Sequence, residues 1–186
     1  MTGSIGWWVA SAVLLFWGVG AYNRLVRLRA DIIAAFGVLD AQWQRQLALV
    51  DATLPAWARP PQQTQPAELM DDITLPWAAL RGAAAQLPVA LAAIPPRPLQ
   101  AEAAAALAAA QDVLGTAWQR LQQDANDLAG SSLPDTVATQ WLQQAGETAK
   151  AKAQFNDAVA RYNAAVAQFP AMLLAWLFGF KRAGAI

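Results

Sequence analysis

Residues able to do covalent or acid–base chemistry are scarce in this chain of 186 residues, which contains neither cysteine nor histidine. That removes disulfides, thiolate nucleophiles, sulfur or imidazole metal ligands, and the imidazole base on which most hydrolytic triads depend. The few serines have no base partner, and no glycine-rich phosphate loop is present. Di-metal carboxylate centres in helical bundles use Glu-x-x-His pairs, which this chain cannot supply. Asp71-Asp72 is the one adjacent acidic pair, and a solvated helix start accounts for it better than catalysis does. The expectation is a protein without catalytic residues, cofactor or metal. A formal net charge of zero argues against a nucleic-acid surface, because phosphate binding needs clustered Lys and Arg.

What remains is chemistry suited to recognition. Asn156 and Asn163 are seven residues apart and share one face of a helix, and Asn23 follows Tyr22 near the start of the chain. Side-chain amides in such places either set register between helices or bind a partner. Lys152 is the one charge on an otherwise apolar stripe; it either reaches the edge of a bundle or pairs with a buried acid.

The elements that carry these residues are helical. Hydrophobic residues make up 56% of the chain and charged ones only 14%; alanine dominates the first group and β-branched residues are sparse. This composition favours helices and predicts an all-α protein. Residues 1–23 read as a transmembrane anchor. Ile5 to Ala21 carries no charge and is long enough, at the short end of the range, to span a bilayer as a helix. Trp7 and Trp8 at one end, with Phe16, Trp17 and Tyr22 towards the other, suit the aromatic belts of the two interfaces. A cleaved signal peptide would carry its basic residues ahead of the apolar run, whereas Arg24, Arg27 and Arg29 follow it. By the positive-inside rule those arginines place the bundle in the cytoplasm, unless they serve the bundle itself.

Residues 24–186 read as an antiparallel up-and-down bundle of about four long helices. The first continues the anchor without a break, with its stripe at Leu25, Leu28, Ile32, Phe36, Leu39, Trp43, Leu47, Val50 and Leu54. A Pro-rich connection follows at 55–66. The second stripe runs Leu69, Ile73, Trp77, Leu80, Ala84, Leu87, Leu91, Ile94, and Pro76 and Pro88 predict a kinked or segmented helix. An Ala-rich third helix runs from near Leu99 to about Leu128. The fourth starts with Ser132 as cap, Pro134 in the first turn and Asp135 completing a capping box. Its stripe is Trp141, Ala145, Thr148, Lys152, Phe155, Val159, Tyr162, Val166 and Phe169, close to a heptad seam. Pro170 opens a short apolar segment ending at Lys181 and Arg182. That segment is too short to span a bilayer, so it either docks on the bundle or lies on a lipid surface.

Both ends of the chain resemble the LemA family of bacterial membrane proteins. The family's Tyr-Asn-x-Leu-Val-x-Leu-Arg signature after an apolar anchor is similar to Tyr22-Asn23-Arg24-Leu25-Val26-Arg27-Leu28-Arg29, and Asp40, Gln42 and Arg45 match the following helix. The family's Tyr-Asn-Asp-Ala-Val, Tyr-Asn, Phe-Pro and Gly-Phe-Lys elements look like Phe155-Asn156-Asp157-Ala158-Val159, Tyr162-Asn163, Phe169-Pro170 and Gly179-Phe180-Lys181. Gln46 replaces a basic residue, Ala48 to Leu54 departs from the family's Asp-Leu-Ile-Pro-Asn-Leu-Val run, and Pro55 to Leu133 shows no matching pattern. The resemblance implies a single-pass protein of the bacterial inner membrane, with a helical bundle and no established enzymatic activity. A scaffold or adaptor, associating with itself or another membrane protein, is the expected function. A ligand-sensing domain outside the membrane is the alternative, and an enzyme using carboxylates alone is a third.

Overall fold

An apolar residue at every third or fourth position makes a stripe that a partner helix must cover, and such stripes arrange this molecule. The structure, a computed structural model, describes residues 2–55, 58, 74–92, 100–127, 133–169 and 171–186. Its helices are α1 (Thr2–Thr53), α2 (Thr74–Ala92), α3 (Ala101–Asp127), α4 (Asp135–Ala167) and α5 (Ala171–Phe178). No strand occurs among the described residues. The fold is all-α, with the helices packed on one another as a bundle.

The most extensive packing joins α1 to α4. The two run antiparallel: Leu25 and Ala165 line one recess, the Phe36 and Phe155 rings meet edge to face at 5.9 Å, and Gln46 and Thr148 line another recess further along. From α1 this seam buries Leu25, Ile32, Leu39, Trp43 and Val50; from α4 it buries Thr148, Phe155, Val159, Tyr162 and Val166. Phe169, expected at the end of the α4 stripe, is exposed instead. The helix stops at Ala167, and Gln168 turns into extended backbone, so the periodicity no longer governs where the ring points.

The second pair is α2 with α3. It buries Leu80, Ala83 and Leu87 on one helix and Ala104, Leu107, Ala110, Leu114, Ala117 and Leu121 on the other. The Ala-rich run thus serves two purposes. Ala104 and Ala110 are buried, whereas Ala105, Ala106 and Ala109 face solvent and contribute helix propensity. The segmentation expected from the prolines does not occur, since α2 is one continuous helix through Pro88. Pro76 falls in the first turn, where its missing N–H has no intrahelical partner to lose. Pro88 sits on the exposed side, while Leu87 before it is in the core and Leu91 after it packs half-buried against that core.

Most of the Pro-rich connection 55–66 lies outside the described residues, as do Leu69, Ile73, Ile94, Leu99, Leu128, Ser132 and Pro170. What is described of the connection is tied down: Ala58 is buried, and Arg81 Nη1 donates to its carbonyl at 3.1 Å. At the start of α4, Pro134 is the N-cap residue rather than part of the first turn, and no side chain among the described residues caps the helix. The Pro134 carbonyl takes the first helical N–H, from Val137 at 2.9 Å.

Among the described residues α3 and α4 make no close backbone approach. Two indoles occupy the gap at one level, Trp118 and Trp141, stacked with centroids 4.2 Å apart and planes 14° from parallel. Because α1–α4 packing carries the core, Phe155→Ala should cost about 3–5 kcal/mol, and Leu142→Ala on the exposed face of the same helix within about 0.5 kcal/mol. Urea unfolding in detergent, followed by circular dichroism, measures both.

Candidate functional site

The features that point to function gather at the end of the bundle where α1 emerges. The first part of α1 has almost no protein around it. Trp7 is 79% exposed and Phe16 85%, with Trp8, Leu14, Leu15 and Trp17 also open. Among the described residues α1 is the one helix long and apolar enough to cross a membrane, and its apolar window is 6% buried. A core helix of a soluble domain would be mostly covered over such a stretch.

Tyr22 does more than end an aromatic belt. Its ring lies 5.1 Å from that of Phe178 and 5.9 Å from that of Phe180, and so holds α5 against α1. The turn after α5 makes this possible. Gly179 adopts φ +68°, a conformation that costs other residues strain, and Phe180 N–H reaches back to the Ala175 carbonyl at 2.8 Å. This Schellman closure places Phe178 and Phe180 on either side of the glycine. Only one narrow side of α5 is used for docking: Ala175 is buried and Leu174 half-buried. Met172, Leu173, Trp176 and Leu177 stay exposed, Trp176 to 85%. The segment therefore docks on the bundle and still presents an apolar face outward.

Basic groups border this apolar surface. Arg24 and Arg27 are exposed and Arg29 half-buried. Lys181 and Arg182 join Arg29 around a recess of 270 Å³ that also touches Tyr162 and Phe180. In the sequence, only Arg24, Arg27 and Arg29 flank the apolar opening run. The two C-terminal cations join them because α5 doubles back onto α1, and the Lys-Arg pair closing an apolar run was the signal for it. A second recess of 390 Å³ lies between Phe16, Trp17 and Gly20 of α1 and Gln168 and Phe169 after α4, with Arg24 on its edge.

Asn156 and Asn163 hydrogen-bond the chain's own tail. Asn163 Nδ2 donates to the Ala183 carbonyl and its Oδ1 accepts from the Ala183 N–H, both at 2.9 Å. Asn156 repeats the pattern on Ile186, at 2.8 and 2.9 Å. Ahead of the Asn163 clip, the Tyr162 hydroxyl donates to the Lys181 carbonyl at 3.0 Å. The register follows from geometry. Seven helical residues rise about 10.5 Å and three extended residues about 10 Å, so a heptad pair of amides matches every third residue of an extended strand. Small residues fit the tail between α4 and the start of α3: Ala183 is buried, and a Cβ on Gly184 would sit 2.8 Å from Ala101 Cα. Asn23, by contrast, is exposed on α1. Lys152 is half-buried in a groove with Gln46 and Gln111 and has no ion-pair partner among the described residues. Nor do three carboxylates converge on a possible metal position among those residues.

Comparison with protein-family models, curated proteins and solved structures finds no match to this chain.

Two expectations follow from the tail clip. Asn156→Ala with Asn163→Ala leaves main-chain groups of Ala183 and Ile186 unpaired. Trypsin should then cut at Lys181 and Arg182 several-fold faster at unchanged helix content, because a loosened strand fits a protease better than a bonded one. Burial also raises the Tyr162 pKa above its ordinary 10.0, opposed in part by the charge of Arg29. The folded state keeps the phenol proton at a pH where the unfolded chain has released it. Stability is therefore fully present below about pH 10 and declines as pH rises beyond it. Urea midpoints between pH 9 and 11 should fall in the native protein and fall less in Tyr162→Phe.

Proposed function

We propose that this chain is a membrane-tethered, non-enzymatic helical-bundle protein acting as a scaffold or adaptor at the inner membrane of a bacterium, in keeping with its resemblance to the LemA family. One observation carries the reading. An uncovered apolar surface, made by the first part of α1 and the outer face of α5, ends at a border of Arg24, Arg27, Arg29, Lys181 and Arg182. Water is a poor solvent for such a surface, and a hydrocarbon layer edged by anionic headgroups is a good one. The segments divide the work. Trp7, Trp8, Phe16 and Trp17 enter the bilayer, α5 lies at its surface, and the cations meet the phosphates. The same cations, by the positive-inside rule, put the bundle in the cytoplasm.

A charge near the middle of a spanning helix costs about 2.5–3.5 kcal/mol on insertion scales. Leu14→Lys with Leu15→Lys should therefore move the protein from the membrane to the soluble fraction; retention in the membrane would remove the anchor. For sidedness, Ala85→Cys on the exposed face of α2 should resist a membrane-impermeant maleimide in intact cells and react once the cells are opened. Labelling in intact cells would put the bundle on the outer side. Proximity labelling that returned no reproducible neighbours would take away the adaptor role.

A further inference from the structure

The wide seam between α3 and α4 is filled in three different ways along its length. At one end the extended tail, Ala183 to Ile186, lies on Asn163 and Asn156 and touches Ala101 and Ala104 of α3. At the other end Trp118 and Trp141 stack across it. Between them is an open groove of 530 Å³, floored by Gln46 of α1 and walled by Gln111 and Gly115 of α3 and by Ala145, Thr148 and Lys152 of α4.

This groove is unusual in its polarity. Gln46 is 5% exposed and Thr148 1%. Gln46 Oε1, Thr148 Oγ1 and Gln111 Oε1 are buried without a hydrogen-bond partner among the described residues. Buried polar atoms left unpaired are costly, and three of them around one groove mark it as a place where a polar ligand completes the bonding. We infer that the groove binds a short extended peptide segment of a partner protein, held by its main chain, in line with the tail. The inference rests on the adaptor reading for its purpose and supplies the partner chemistry that reading lacks.

Three observations choose this occupant. Lys152 is one helical turn from Asn156, so the groove begins where the seat of Ile186 ends. The tail already shows how this seam takes extended backbone, through side-chain amides that donate and accept at once. Gln46 and Gln111 offer the same pair of functions, and Thr148 a hydroxyl. From Lys152 to Ala145 the groove is about 10.5 Å long, the span of about three extended residues. Charge does not select the ligand, because Asp112 lines the groove along with Lys152. Gly115 and Ala145 leave room for small inward side chains, as Ala183 and Gly184 have further along.

Gly115 also provides the test. A Cβ there meets nothing within 4 Å, so Gly115→Leu projects into the groove without disturbing the helix packing. Detergent-solubilised full-length protein is panned against phage-displayed octapeptides, and the recovered sequences are synthesised with and without main-chain N-methyl groups. Peptides rich in small residues should bind the native chain about tenfold tighter than Gly115→Leu and lose binding on N-methylation. Thr148→Val should weaken them as well. No enriched peptide, equal binding to Gly115→Leu, or indifference to N-methylation would overturn the inference and leave the groove to water. Because the measurement is made in detergent, it stands or falls separately from the membrane experiments.

Discussion

The rest of the structure depends on α1 remaining one helix while its surroundings change completely. Its first part is wrapped by almost nothing, and from Leu25 onward the same rod supplies the central stripe of the core. No flexible joint separates the two, so the direction in which the exposed part leaves the bundle is set by the packing of Leu25, Ile32, Leu39 and Trp43 against α4. A kink would need a proline or a disrupted ladder, and α1 contains no proline. Address and architecture are mechanically joined.

From that seam the remaining organisation follows. The bundle is better described as two antiparallel pairs, α1 with α4 and α2 with α3, than as four equivalent helices. The pairs leave a broad seam between α3 and α4, which ordinary aliphatic interdigitation does not close. A stacked pair of indoles, a polar groove and an extended strand share it. Such a seam holds unpaired buried groups, among them the Trp118 indole N–H, that a tighter bundle would exclude.

Much of the fold was legible in the residues. The large buried side chains of α1 and α4 lie on the expected stripes, since helical periodicity reports burial directly, whereas the buried Gln46, Ala151, Ala158 and Ala165 lie beside them. Phe169 failed for a local reason: the helix had already ended. The prolines do not divide α2, because their effect depends on position within the helix. A first-turn site and an exposed site with well-packed neighbours are both tolerated. The candidate site was legible only in part. Trp7, Trp8, Phe16, Trp17 and the three arginines stand out as a linear pattern, whereas Lys181 and Arg182 join them through the fold-back of α5 around Gly179. The two asparagines were visible as a pair on one helix face. Their hydrogen bonds to the tail were not, because an extended segment rich in small residues has no periodicity to announce it.

By itself, then, the sequence determined helix content, the stripes that become core, the uncharged opening run, and the lack of any thiol or imidazole chemistry. All of these are properties of local spacing or of composition. Only the tertiary structure decided that α5 docks on Tyr22 yet keeps an apolar face, that Asn156 and Asn163 grip main-chain groups some twenty to thirty residues away, and that Gln46, Gln111 and Thr148 meet around one groove. The physical reason is the same in each case. These contacts join residues far apart in the chain, and which amide or ring meets which depends on how helices of different lengths are set side by side.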